Sequence, residues 1–71
     1  MITFQNKNNK NPNELHDYLI QNNCKPIFLG HNAVYSEETG EKVQEATEIY
    51  IEIEPEKEQD LANLVNQFMS Q

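Results

Sequence analysis

A chain of 71 residues with a formal net charge of −7, a sequence pI near 4.5 and no arginine is too acidic to bind nucleic acid in the usual basic manner. The same charge disfavours binding to anionic membrane surfaces. The length predicts one domain over residues 1–71, with a core that contributes only about 3–5 kcal/mol and no room for a large enclosed cleft.

The negative charge lies almost entirely in the second part of the chain. Residues 1–30 have a net charge of +1, whereas residues 31–71 have a net charge of −8. Such a field attracts proteins with basic surfaces, although many small domains carry similar charge for solubility alone. A single cysteine and the lack of a signal-peptide or membrane-spanning pattern favour a cytoplasmic location.

The first predicted elements are a short strand, a polar loop and a helix. Ile2 and Phe4 share one face of an extended segment at 1–4. Asparagine and lysine without apolar anchors predict an exposed, flexible loop at 5–13.

A helix is predicted at about 12–22. Asn11 suits the N-cap, and Pro12 suits the first helical position because its φ is already helical and its missing N–H is not needed there. The asparagines at 22–23 end the helix, since asparagine tolerates the left-handed conformation found after a helix C-terminus.

A long antiparallel hairpin is predicted from about 27–36 with 42–53. Isoleucines at 49, 51 and 53 alternate with polar residues, which is the period of a strand with one buried face. Gly40 can supply the positive φ of the connecting turn. The predicted ladder is weak at residues 30–32. The sequence leaves two alternatives there, a bulge or a division into two shorter hairpins. The predicted cross-strand pairs are Ile27 with Ile51, Leu29 with Ile49, and Phe28 with Tyr50.

A second helix is predicted at about 55–69. Pro55 suits its first turn, and the apolar residues after it recur at helical spacing on one side. These residues are Leu61, Leu64, Val65, Phe68 and Met69. The predicted fold is therefore an α+β, two-layer β-α-β-β-α domain, in which both helices pack on one face of the hairpin and the N-terminal strand.

The chain contains few residues that could perform chemistry. His16, Cys24 and His31 are the only soft metal ligands or nucleophiles, and no two of them are spaced to share a helical turn. A cysteine enzyme would need a histidine base and a cleft, and the chain has no signature of such an enzyme. Gly30 and Gly40 stand alone, so there is no phosphate-binding glycine loop. We predict no enzymatic activity, no metal and no cofactor.

The acidic side of the predicted hairpin is the candidate for partner binding. Carboxylates two residues apart on a strand lie about 6–7 Å apart, which resembles the spacing of backbone phosphates. Protection of an exposed sheet against aggregation is the commoner reason for such carboxylates. Aromatic residues on that side are typical interface anchors. The candidate partner-binding residues are Phe28, Tyr35, Glu37, Glu38, Glu41, Glu45, Glu48, Tyr50, Glu52 and Glu54.

Two functions remain open from the sequence. One is a non-enzymatic module that binds a basic protein, such as a nucleic-acid-handling protein, through the acidic hairpin. The other is a structural or assembly subunit that forms a homodimer through its sheet. The size, acidity and asparagine- and lysine-rich composition resemble those of small accessory proteins of phages and prophages. This resemblance is one of composition and implies an inhibitor or an adaptor.

Overall fold

The computed structural model describes residues 1–71 and contains five short strands and two α-helices. A 3₁₀ helix of one turn precedes each α-helix, at Lys7–Asn9 and at Pro55–Lys57. The molecule is elongated, with extents of 41 × 24 × 19 Å. The strands and α-helices in chain order are β1 (Ile2–Gln5), α1 (Pro12–Gln21), β2 (Phe28–His31), β3 (Val34–Tyr35), β4 (Lys42–Gln44), β5 (Glu48–Glu52) and α2 (Glu58–Met69).

Three strands form an antiparallel sheet in the order β1-β5-β2. β5 is therefore the central strand, and β1 and β2 are the edges. Because β1 and β2 both run antiparallel to β5, they are parallel to each other, and α1 lies between them in the chain. β3 and β4 pair only with each other, in a second, two-stranded sheet. The predicted α+β fold, with a short N-terminal strand and two helices, is confirmed.

The apolar face of β5 is the centre of the core. Ile49 and Ile51 are fully buried, and Ile53 lies just beyond the strand and is also buried. Each buried isoleucine contributes about 1.5–3 kcal/mol, so the sheet and the helices that cover it stabilise each other. Both helices pack on this one face, as predicted. Their residues in the buried cluster are Leu15, Leu19, Leu61, Val65, Phe68 and Met69.

The helix termini follow the predicted local chemistry. Asn11 caps α1, because its Oδ1 accepts a hydrogen bond from the amide of Asn13 at 2.8 Å. Asn23 has a φ of +58°, the left-handed conformation expected after the helix. The second predicted helix begins with the 3₁₀ turn Pro55–Lys57 and becomes α-helical at Glu58.

The long predicted hairpin is divided into two. β2 pairs with β5, whereas β3 and β4 form a separate ribbon that we call the arm, residues 34–45. The division lies next to residues 30–32, where the sequence predicts a weak ladder. Of the two alternatives that the sequence leaves open, the division into two shorter hairpins is confirmed.

The predicted register between β2 and β5 is wrong by two residues. Leu29 lies opposite Ile51 instead of Ile49, and Phe28 lies opposite Glu52 instead of Tyr50. The physical reason is that the two sides of the connection between the sheet and the arm differ in length. Two residues, 32–33, lie between the paired residues on one side, whereas four residues, 45–48, lie between them on the other. A shift of two leaves every side chain on its original face.

The predicted pairing of Ile27 with the buried Ile51 is also wrong. β2 begins at Phe28, so Ile27 precedes the ladder, and it is 65% exposed. Its amide donates to the carbonyl of Glu52 at 2.8 Å, which holds the backbone without turning the side chain inward. The neighbouring Pro26 is buried instead.

Asn6 and Asn32, which we call the asparagine clamps, bind the longer side of this connection, the return segment at residues 45–48. The Oδ1 atom of Asn32 accepts hydrogen bonds from the amides of Thr47 at 2.9 Å and Glu48 at 3.0 Å. On the opposite side, the Nδ2 group of Asn6 donates to the carbonyl of Ala46 at 2.7 Å, and the amide of Asn6 donates to the carbonyl of Thr47 at 2.8 Å. These bonds satisfy backbone groups of Ala46 and Thr47, which lie between β4 and β5, and of Glu48, the first residue of β5.

Asn6 also organises the polar loop at 5–13. Its side chain is 8% exposed, donates to the carbonyl of Lys10 at 2.9 Å and accepts from the amide of Lys10 at 3.0 Å. Asn8 donates to the carbonyl of Met69 at 3.1 Å and so joins the loop to the end of α2. The loop therefore has polar anchors that composition did not reveal. Its flexibility is a property of motion and stays a prediction.

Replacing Asn6 by alanine should lower the free energy of unfolding by about 2–3 kcal/mol, because the buried carbonyl of Ala46 and the two backbone groups of Lys10 lose their partner. Urea unfolding followed by far-UV circular dichroism measures the change. The exposed helical residue Asn63 supplies the control, and N63A should change stability by less than about 0.5 kcal/mol. Equal effects of the two substitutions would contradict the role assigned to Asn6.

Candidate interaction surface

One face of the three-stranded sheet is covered by no helix. Side chains alternate along a strand, so the residues between the buried isoleucines of β5 point to this side, together with alternate residues of β1 and β2. None of them is buried. We call this surface the open face. Its residues are Thr3, Gln5, Phe28, Gly30, Glu48, Tyr50 and Glu52.

Phe28 lies over Gly30 on the open face. A Cβ atom placed on Gly30 would lie 2.8 Å from Cζ and 2.9 Å from Cε2 of the Phe28 ring. An aromatic ring in this position shields the backbone of a strand glycine from water. The ring is therefore held against the sheet, next to Tyr50, which pairs with Gly30 across the ladder.

A chain of polar contacts crosses the open face beside this ring. The phenol of Tyr50 donates to Oε1 of Glu48 at 3.4 Å, and the amide group of Gln5 donates to Oε2 of Glu48 at 3.4 Å. Burial raises the pKa of Tyr50 above its ordinary value, and the charge of Glu48 and the hydrogen bond to it act in the same direction. Tyr50 therefore stays neutral at physiological pH, with an ionised carboxylate as its acceptor.

The arm exposes apolar side chains instead of burying them. Val34, Tyr35 and Val43 are 44%, 50% and 64% exposed. Val34 lies opposite Gln44 and Tyr35 lies opposite Lys42, so Val43 is the extra residue of a β-bulge. These three side chains contribute little to the core and are free to contact another molecule.

The tip of the arm carries carboxylates without counter-ions. The amide of Ser36 donates to the carbonyl of Glu41 at 2.8 Å, and Gly40 has the predicted positive φ, +74°. Glu37 and Glu38 are exposed, and neither they nor Glu41 form an ion pair. The tip is therefore a concentrated negative surface.

Nine of the ten candidate partner-binding residues lie on two surfaces, and the tenth follows the end of β5. Phe28, Glu48, Tyr50 and Glu52 lie together on the open face. Tyr35, Glu37, Glu38, Glu41 and Glu45 lie on the arm. Glu45 is paired with Lys42 at 3.5 Å. Glu54 lies two residues after Glu52, beyond the end of β5 that is farther from the arm. Whether these residues bind a partner stays a prediction.

Cys24 and the two histidines do not come together in a site. Cys24 belongs to the buried apolar cluster and is 1% exposed. Burial raises the pKa of its thiol, and the nearby charge of Asp60 raises it further, so the reactive thiolate is disfavoured. His16 is near the exposed Asp17, at 3.9 Å, and Nδ1 of His31 accepts from the amide of Ala33 at 3.2 Å.

Sequence reasoning missed a cleft between β1 and the C-terminal half of α2. Its volume is about 390 Å³, and Phe4, Val65 and Met69 form its apolar part. Lys7 and Gln5 also line the cleft. No local pattern reveals this cleft, because its two walls come from opposite ends of the chain.

Comparison with known proteins identifies no relative. No protein-family model, curated protein sequence or solved structure matches this chain. Neither helix has the length and apolarity needed to cross a bilayer. No group of three or more histidine, cysteine, aspartate or glutamate side chains is placed to hold a metal ion. The chemistry of the open face, the arm and the cleft is what indicates a function.

Replacing Glu48 by glutamine should lower the pKa of Tyr50 toward its ordinary value of 10.0, because one of the causes of the upward shift is removed. NMR of the tyrosine ring carbons separates Tyr50 from the other tyrosines. E41Q removes an exposed carboxylate of the arm and should leave this pKa unchanged. Since the pKa of Tyr50 is raised by folding, the stability it contributes is complete below pH 10 and is lost as the pH rises through its folded-state pKa.

Cys24 should react with a thiol reagent at least about tenfold more slowly in the folded protein than in the chain unfolded by urea, because reaction requires opening of the core. The release of a chromophore from the reagent measures the rate. An exposed cysteine made by N63C in a C24A background should react at similar rates in both conditions. A native Cys24 that reacts as fast as this control would show an accessible thiol.

Proposed function

We propose that this protein is a non-enzymatic cytoplasmic module that binds the basic surface of another protein through its arm and the adjoining open face. The observation that carries the proposal is the arm, where exposed apolar side chains lie beside carboxylates without counter-ions. Binding would use both features at once, and none of these residues belongs to the buried core.

The exposed apolar residues of the arm favour a binding role over a purely solubilising one. Surface carboxylates alone would keep the protein soluble, but Val34, Tyr35 and Val43 act against solubility. Tyrosine is a common interface anchor, because its ring buries a large area while its hydroxyl keeps a polar partner. Tyr35 is therefore the central contact that we assign to the arm.

The carboxylates at the tip select a basic partner. Exposed charges contribute about 0.2–1 kcal/mol each, so Glu37, Glu38 and Glu41 act mainly by steering association and by rejecting acidic surfaces. A lysine or arginine of the partner can also lie over the ring of Tyr35. Affinity should consequently fall as the salt concentration rises.

Among basic partners, we propose a nucleic-acid-handling protein. Glu52 and Glu54 are separated by one residue along an extended chain, a spacing of about 6–7 Å that resembles neighbouring phosphates. Glu48 and the arm continue the negative surface in the other direction. A partner bound here would be blocked from nucleic acid, which is competitive inhibition. Inhibitor or adaptor is also the role implied by the compositional resemblance to phage and prophage accessory proteins.

Self-association is the second candidate function, and the two uncovered edges of the sheet favour it. A small domain often covers an open sheet with a second copy of itself. Sedimentation at micromolar concentration distinguishes the two functions, because a strict monomer contradicts an assembly role and is compatible with an inhibitor or adaptor.

Reversing two tip charges with E37K and E38K should weaken binding to the captured partner at least about tenfold, since attractive contacts become repulsive. The partner is captured from a cell lysate on the immobilised protein, identified by mass spectrometry and titrated against each variant. The matched control is E56K with E58K, which makes the same change in net charge on two exposed residues, one in the 3₁₀ turn before α2 and one at the first position of α2.

A second pair of substitutions tests the open face. E48K with E52K should also weaken binding, whereas the α2 control should retain the affinity of the native protein. Binding that is indifferent to salt, or equal losses in the arm variant and the α2 control, would contradict a specific acidic interface.

A further inference from the structure

The edge strand β1 carries backbone hydrogen-bonding groups that nothing in the protein uses. The hydrogen bond from the amide of Asn6 to the carbonyl of Thr47 marks these two residues as a hydrogen-bonded pair of the ladder. Such pairs alternate in an antiparallel ladder, so Phe4 is bonded to β5, whereas Thr3 and Gln5 are not. The N–H and C=O groups of Thr3 and Gln5 therefore point away from the sheet, toward solvent.

β1 also lacks the features that normally protect an edge strand. Charged side chains, prolines and bulges discourage the addition of another strand. β1 has the sequence ITFQ, without charge or proline, and its register with β5 is unbroken. The opposite edge is different, because β2 contains the ring-covered Gly30 and is followed directly by the Asn32 clamp. An unprotected edge is unusual in a protein whose other surfaces are rich in carboxylates.

The cleft beside β1 is placed to receive side chains from an added strand. Alternate side chains of such a strand would point toward α2, as Phe4 does from β1. The cleft volume of about 390 Å³ lies within the usual range of ligand pockets, about 300–1,000 Å³. Phe4, Val65 and Met69 provide an apolar contact, and the hydrogen bond from Asn8 to the carbonyl of Met69 joins the loop after β1 to the end of α2.

The charge of the cleft determines which kind of peptide segment it can bind. Lys7 lines it and forms no ion pair, and no carboxylate side chain lines it. This local charge is opposite in sign to that of the arm and the open face. A segment with an acidic side chain near Lys7 fits the cleft, and a basic segment does not.

We propose that the edge of β1 and the cleft bind an extended acidic–apolar peptide segment of a partner protein by strand addition. Backbone hydrogen bonds to Thr3 and Gln5 provide affinity, while an apolar side chain in the cleft and a carboxylate at Lys7 provide selectivity. The site does not depend on the arm. Together, the two surfaces give one small chain two partners of opposite charge, which is the arrangement of an adaptor.

The test uses a blocked synthetic peptide of about seven residues, a usual strand length, in which valine and glutamate alternate along the side that faces α2 and threonine occupies the other side. Titration into the isotope-labelled full chain should shift the amide signals of Thr3, Gln5 and Lys7 and slow hydrogen exchange at the first two. K7E should weaken binding about fivefold or more. K25E makes the same charge change on an exposed residue next to the other edge of the sheet, and should change binding by less than about twofold.

Two further measurements isolate the backbone contacts. T3P removes an outward-pointing N–H without removing a bond to β5, which edge strands tolerate, and should abolish binding. The same peptide with a methyl group on every second backbone nitrogen should also fail to bind, and this result stands even if T3P does not fold. A peptide with lysine in place of each glutamate should bind at least about tenfold more weakly.

Four results would overturn the proposal. The first is no saturable shift at millimolar peptide. The second is a set of shifts confined to the arm. The third is protection of Thr3 and Gln5 that grows with protein concentration in the absence of peptide, because β1 would then pair with a second copy of the chain. Shifts at the cleft that persist with the methylated peptide would likewise exclude strand addition.

Discussion

The hydrogen bonds of Asn6 and Asn32 determine where the chain leaves the sheet, and the exposed surfaces depend on that point. They hold a return segment, residues 45–48, that is two residues longer than the opposite side, residues 32–33. Without them, the carbonyl of Ala46 would be buried without a partner, at a cost of about 1–3 kcal/mol. In a core worth only about 3–5 kcal/mol, this cost decides the geometry. The arm projects because these two side chains end the main ladder there.

The two faces of β5 have separate roles. Ile49 and Ile51 join the helices to the sheet, so substitutions on that side act on stability. Glu48, Tyr50 and Glu52 face solvent, with Phe28 held nearby by the absence of a side chain at Gly30. The surfaces available for recognition are therefore built from residues that the core does not require, while the core fixes their relative positions.

The elements could be predicted from the sequence, whereas their long-range arrangement could not. Local chemistry was sufficient for the cap at Asn11, the left-handed Asn23 and the turn at Gly40, because each depends on its own neighbours. The alternation of apolar and polar residues does not determine the register of β2 on β5, since a shift of two residues keeps every side chain on the same face. Asn6 binds a segment 40 residues away, and no feature of the polar loop distinguishes it from the asparagines around it.

The central position of β5 has a consequence for synthesis of the chain. β5 is the last strand in sequence order, yet β1 and β2 pair only with it. During translation, both edge strands leave the ribosome without a partner, at about 5–20 residues per second, until Glu48–Glu52 emerges. The sheet therefore assembles in one late step rather than from its N-terminus. During that interval, β1 has no other strand of this chain to pair with.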